Sequence, residues 1–204
     1  MDNLNCPNCG SENPVLLQRL KVATCPSCGT TLMVNDAQVQ LAGDQGVMHD
    51  APLLFGLGDN VTLGRTSVRI LGHARYSYGR GFWDEFCTAD DAGTTYWISV
   101  DEGDVVMQTR LRGKDTPKSP PPFKPGETLD FDAATFTVTE VETAECIALR
   151  GQFDEALQVG ERHDFVNASA GDEGLLSGEF WADNALWFYG RWYDPFELKV
   201  ERSA

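Results

Sequence analysis

Four cysteines are the residues of this chain best placed to do chemistry. They fall as Cys6-x2-Cys9, fifteen intervening residues, and Cys25-x2-Cys28, inside the spacing range of a four-thiolate zinc site. Each pair sits in the same knuckle, Cys-Pro-x-Cys-Gly. Proline presets φ for a tight turn and glycine tolerates φ > 0, so two thiolates can converge on one ion. Four protein ligands leave no position open for water or substrate, which makes such an ion structural. The alternatives fit less well. A redox Cys-x-x-Cys should open a helix within a βαβ pattern, and disulfides belong with a secretory leader. The start, MDNLNCPNCG, has neither feature. One structural Zn2+ held by Cys6, Cys9, Cys25 and Cys28 is expected, in a ribbon spanning residues 1–34.

No other group carries a reaction signature. The chain has no G-x-S-x-G elbow, P-loop or H-E-x-x-H, and GLGDNV lacks the third glycine of a dinucleotide fingerprint. His49, His73 and His163 are scattered. His163 and Asp164, like Asp84 and Glu85, are neighbours that a strand would turn to opposite faces. Cys87 and Cys146 read as small buried hydrophobes. An enzyme is therefore the third-ranked expectation.

Charge narrows the partners. The net charge is −15, and residues 119–204 hold 6 basic and 17 acidic side chains. Neutralising phosphates needs clustered Lys and Arg, whereas the ribbon offers only Arg19 and Lys21. Nucleic acid is not an expected partner. No apolar run approaches the length of a membrane span, so no membrane insertion is expected, and the thiols suit a reducing cytoplasm.

The elements that must position these residues are strands. NDAQVQLAG suggests one or two helical turns inside a connector, residues 35–52. Beyond it the helical period disappears. SVRILGHARYSY alternates with period 2, placing His73 on the polar, exposed side beside Arg69 and Arg75. FWDEFCTA, TTYWISV and VVMQTRL read as further strands of a first β-unit, residues 53–116. Residues 117–125 are a proline-rich spacer, extended because proline fixes φ and removes a donor.

The second β-unit, residues 126–204, repeats the first. Phe55, Gly58, Val61, Leu63, Val68 and Ile70 match Phe123, Gly126, Leu129, Phe131, Phe136 and Val138 at a constant offset of 68. Later strands correspond too, DEFCTADDAG with HDFVNASAGDEG and VVMQTRL with ALWFYGRW. The expected fold is all-β: a zinc ribbon followed by two tandem, internally repeated β-units, each like a small barrel or sandwich, packed together. Rim charges would orient the units, with Arg65, Arg69, Arg75 and Arg80 facing the acidic second unit. Each part would keep its own core, so that losing the metal would leave the β-body intact.

GHARYSYGRGFWDEF, YWISVDEGDVVM and FTVTEVETAECIALRGQF, together with the ribbon, resemble a bacterial family known as domain of unknown function 4178. Its Trp-x-Glu segment is similar to Trp83-Asp84-Glu85, and its Trp-hydrophobe-Ser segment to Trp97-Ile98-Ser99. Its EGE-like turn is replaced here by ALRGQF. The resemblance implies no reaction. It implies a neighbourhood of polyamine-linked or membrane-stress systems.

Aromatics are the remaining group. Trp187 and Tyr189 should share one strand face opposite Phe188, and with Trp192 they form a patch beside Asp183, Asp194 and Glu197. Such a patch would suit a protein partner or a polyamine, whose ammonium groups favour acidic and aromatic surroundings. The first expectation is a non-enzymatic cytoplasmic adaptor that presents β-surfaces to a protein. The second is a binding module for a cationic small molecule. Residues expected to contact partner or ligand are Arg69, His73, Arg75, Trp83, Glu85, Trp187, Tyr189 and Trp192.

Overall fold

The computed structural model describes residues 3–35, 38–118, 121–171, 174–181 and 184–203. Pro120 of the spacer and Asp183 of the aromatic stretch lie outside these. The ribbon comprises β1 (Asn3–Asn5), β2 (Glu12–Pro14), β3 (Val22–Thr24) and β4 (Thr30–Asn35), followed by β5 (Gln38–Asp44). The first repeat holds β6 (Asn60–Leu63), β7 (Thr66–Ser77), β8 (Phe82–Ala89), β9 (Thr95–Asp101) and β10 (Asp104–Arg110). The second holds β11 (Thr128–Phe131), β12 (Ala134–Phe153), β13 (Arg162–Ala170), β14 (Gly174–Trp181) and β15 (Asn184–Tyr193), followed by β16 (Lys199–Glu201).

The fold is all-β, and the two units complete one eight-stranded barrel. β7–β10 and β12–β15 each form an antiparallel meander. The meanders join at β10–β15, where Val105 faces Tyr193, and at β7–β12, where Ala74 faces Leu149. The expected side-chain interface between units is thus replaced by ladder hydrogen bonds. Four strands have two open edges each, and closing both seams removes them. Of the four arginines expected to orient the units, Arg80 pairs across them, with Glu142 at 2.7 Å on the surface. Arg75 is instead buried against Asp84 of its own unit.

The offset of 68 reappears in the hydrogen bonds. Gly58 N–H donates to Ile70 and Gly126 N–H to Val138; Ile70 N–H donates to Asp59 and Val138 N–H to Glu127. The Asp59 and Glu127 carboxylates cap Gly56 and Lys124 N–H groups in the same way. Each repeat folds its first hairpin over the outer face of its own meander. Phe55, Val61, Leu63, Val68 and Ile70 cover Phe86, Ile98, Val105 and Met107. Phe123, Leu129, Phe136 and Val138 cover Val166, Ala168, Leu176 and Trp187. The alternate residues of the same strands face the lumen, as the two-residue period requires.

Residues 38–43 of NDAQVQLAG, read as helical turns from sequence, lie in strand β5, while Asp36 and Ala37 fall outside the described residues. Val39 and Leu41 alternate with Gln38 and Gln40, and the strand pairs along the edge of β4. Strand β12 runs past the barrel, and its last residues, Gln152 and Phe153, pair with Ala23 and Val22 of the ribbon. Where β12 leaves the barrel its backbone lies tight against β7: a Cβ on Gly151, which has φ +85°, would lie 2.2 Å from the Leu71 carbonyl oxygen. Val22 and Leu17 of the ribbon share a core cluster with Phe153, Leu157 and Leu149. The ribbon is therefore a buttress of the barrel and not a separate bead. No helix among the described residues is long and apolar enough to cross a membrane.

Because neither repeat owns a closed sheet, the barrel should melt in one cooperative transition, and a fragment of residues 119–204 should not fold alone. Two calorimetric transitions, or a dispersed NMR spectrum from that fragment, would contradict the shared barrel.

Candidate metal centre and lumen site

The Sγ atoms of Cys6, Cys9, Cys25 and Cys28 all lie within 4.8 Å of one another. Cys6 and Cys28 are 3.8 Å apart, Cys9 and Cys25 3.7 Å. A tetrahedron of metal–sulfur bonds of about 2.3 Å has edges of about 3.8 Å, so the cluster has the size of a four-thiolate zinc site. Each knuckle closes the same way: Gly10 N–H donates to Cys6 O and Gly29 N–H to Cys25 O, both at 2.8 Å. Both glycines have positive φ, 74° and 71°. Asn8 Nδ2 reaches Cys28 Sγ at 3.6 Å. Hydrogen bonds from the Thr30 hydroxyl and then its backbone N–H bring the Cys28 thiol down to about 6. The four thiols can hold one metal ion, with no ligand position left for substrate.

A second constellation lies inside the barrel. A cavity of about 290 Å3 opens at the end of the lumen where the β9–β10 turn projects. Among the described residues six carboxylates line it, those of Glu85, Asp101, Glu102, Asp104, Glu140 and Glu179, and no Lys or Arg does. Trp83 and Phe165, edge to face at 5.2 Å, form part of the wall, and Trp192, 42% exposed, stands at the rim. Period-2 alternation produces this composition, because Glu85 on β8, Ser99 on β9 and Gln108 on β10 all point inward.

The inner wall is a directed chain. Gln108 Nε2 donates to Ser99 Oγ at 3.3 Å, and Ser99 Oγ donates to Glu85 Oε1 at 3.2 Å. Trp83 Nε1 donates to the same oxygen at 3.1 Å. A carboxylate that only accepts fixes the direction of the chain, and Gln108 Oε1 is left buried with no partner among the described residues. His163 Nε2, on the same cavity, is likewise buried and unpartnered. Burial lowers His163 to about 4, so the ring is neutral. Burial raises the Glu85 carboxyl despite its two donors. Glu179 is raised well above the carboxylate range by burial and then by the charges of Glu85 and Glu155. Asp101 is raised by burial and by Glu102, Glu140 and Asp104. Burial and neighbouring acidic groups thus favour the neutral form of these carboxyls, and a cation beside them would favour the charged form.

At the far end the lumen is filled. The Asp154–Gly160 segment tucks Leu157 into the core, and Arg110 holds both carboxylate oxygens of Glu155. Glu85 and Glu179 also line a small void of about 20 Å3 on that side, so they stand at the floor of the open cavity.

Of the residues singled out in the sequence, Trp83, Glu85 and Trp192 meet at this cavity. The others lie elsewhere. Trp187 is buried outside the barrel against Phe123 and Phe180, and Tyr189 packs on Phe131 and Phe136. Arg69 is exposed beside a groove between ribbon and barrel. His73 and Arg75, expected on an exposed face, are 4% and 3% exposed. The stretch from His49 to Phe55 crosses over them: Arg75 donates to the His49 carbonyl at 2.7 Å, and Phe55 packs edge-on against Phe86, on which His73 stacks. They share Asp84, with His73 Nε2 and Arg75 Nε each 2.7 Å from Oδ1. Being buried, they present nothing to a partner.

The sequence does not mark Asp101, Asp104, Gln108, His163 or Glu179 as site residues. The usable signal was weak: an acidic turn, DEGD, and polar residues at inward positions of apolar strands. Cys87 and Cys146 are both buried, and burial raises both, Cys146 to about 12, which makes them poor nucleophiles.

The protein is an eight-stranded antiparallel barrel with a tetracysteine ribbon docked on one of its strands. The chain belongs to the family described as Domain of unknown function (DUF4178), whose model matches residues 56–195, the two repeats that build the barrel. No curated protein and no solved structure matches the chain.

Proposed function

We propose that this protein is a binding module for a small organic cation of the polyamine class, received in the barrel lumen. One observation carries the reading: among the described residues, six carboxylates and no Lys or Arg surround an aromatic-walled cavity. Eight strands enclose a lumen just large enough for side chains or one small ligand. Acidic clusters on protein surfaces are usually solvated, but here buried acceptors, Glu85 and the unpartnered Gln108 Oε1, face inward with them. An ammonium group would satisfy those acceptors, and the wall of Trp83 and the rim of Trp192 favour a cation over their rings. The ribbon's metal is one structural zinc, and the reduced thiolates suit a cytoplasmic protein.

Binding should follow a definite pH sign. Carboxyls raised on folding oppose stability as pH rises above the ordinary carboxylate range, and a bound cation offsets that loss. Spermidine is therefore expected to raise the melting temperature more at pH 8 than at pH 5. It should quench tryptophan fluorescence in the wild type and not in Glu85→Gln. An equal response from Glu85→Gln, or no response from either protein at millimolar amine, would remove this reading.

The adaptor reading has its own supporting observation on a different face. The groove between ribbon and barrel is lined by Leu16, Pro26 and Leu57, and Leu16 and Leu57 are exposed. The two readings use separate surfaces and are compatible.

A further inference from the structure

Within the lumen reading, on which this rests, we infer that the ligand is a linear molecule with two ammonium groups about four carbons apart. One is a primary ammonium seated among Glu85, Ser99, Gln108 and Glu179. The second sits at the rim between Asp101 and Asp104.

Strand register places the acidic groups on two levels. Glu85 faces Ser99, and Ser99 faces Val106, so these three share the inner level. Asp101 faces Asp104 two residues further along both strands, about 7 Å nearer the opening. A diamine with four carbons between its nitrogens covers that distance when extended. Trp83 and Phe165, on the wall of the same cavity, offer apolar surface for its methylenes.

The inner level specifies the head group. It offers acceptors: the Glu85 carboxylate, the Glu179 carboxylate and the orphaned Gln108 Oε1. A primary ammonium brings three N–H donors to such a set, whereas a quaternary ammonium brings none. A single metal ion is the competing cation. Among the described residues, the four thiols of the ribbon are the one group of three or more ligating Cys, His, Asp or Glu atoms that converge within 4.8 Å. The lumen carboxylates are spread, as an extended dication requires.

The test is calorimetric titration of the full chain with butane-1,4-diamine, butan-1-amine and hexamethylated butane-1,4-diaminium. Each charge-assisted hydrogen-bonded ammonium supports about a 30-fold difference in affinity. The diamine should bind at least that much tighter than the monoamine, and the hexamethylated dication should fall well below the diamine. Asp101 and Asp104 are exposed, so the double variant Asp101→Asn/Asp104→Asn should keep the fold. It should bring diamine affinity down to that of the monoamine and leave the monoamine unchanged. Equal affinity for diamine and monoamine would overturn the two-level site while leaving a cation site standing. Equal affinity for the hexamethylated ligand would overturn the primary-ammonium seat. Binding of none of the three would remove both this inference and the lumen reading beneath it.

Discussion

Replacing Cys25 by Ser is expected to release the metal and unfold the ribbon, a loss on the order of 10 kcal/mol of metal-linked folding energy for that module. Elemental analysis should fall from one zinc per chain to none. The consequence does not stop at the ribbon. Val22 and Leu17 leave the cluster they share with Phe153 and Leu157, and the end of β12 loses its partner β3. Burial of two such side chains is worth about 4 kcal/mol, which corresponds to a fall in barrel melting temperature of roughly 10 °C. A barrel that melts unchanged in Cys25→Ser would show the two parts to be independent, as the sequence suggested. A full complement of iron in place of zinc would refute the metal assignment.

The second large effect is expected at Asp84. Its carboxylate is buried with Arg75, which donates through Nε at 2.7 Å and through Nη2 at 3.1 Å, and with His73 at 2.7 Å. Asp84→Ala leaves the Arg75 guanidinium, 3% exposed, without its counter-charge. Breaking one side of a buried pair typically costs about 3–5 kcal/mol, roughly 10 °C in a chain of this size. Burial pushes the Asp84 carboxyl up, but hydrogen bonds from His73 and Arg75 outweigh it and hold it below its ordinary value. Its contribution is fully present above the usual carboxylate range and is lost as pH falls through the depressed native value. The wild type and Asp84→Ala should therefore converge in stability on acidification. A melting temperature within a degree or two of wild type at pH 7 would contradict the argument.

Much of this architecture is legible in the chain. The alternation in SVRILGHARYSY, the boundaries of FWDEFCTA and the offset of 68 between Phe55 and Phe123 all correspond to features of the fold, because each is local or a direct comparison of segments. Barrel closure is not local. Nothing in VVMQTRL says that Val105 will meet Tyr193, or in GHARYS that Ala74 will meet Leu149, so one shared barrel reads as two units. The same blindness hides both buried charge clusters. His73 alternates as an exposed residue should, and only the strand crossing that lays His49 to Phe55 over it makes it internal. The lumen site combines residues from all four strands of the second meander and three of the first. Its aromatic members, Trp83 and Trp192, stand out by type, whereas Ser99, Gln108 and Glu179 acquire meaning only from the direction they face.

The central claim is that the barrel lumen is a cation site, and a crystal structure of the full chain grown with butane-1,4-diamine tests it most directly. The account predicts density for one diamine in the lumen. One nitrogen should lie within hydrogen-bond reach of Glu85 and Gln108 Oε1, and the other between Asp101 and Asp104. A lumen without ligand density at saturating diamine, or diamine bound only on the outer surface, would contradict it.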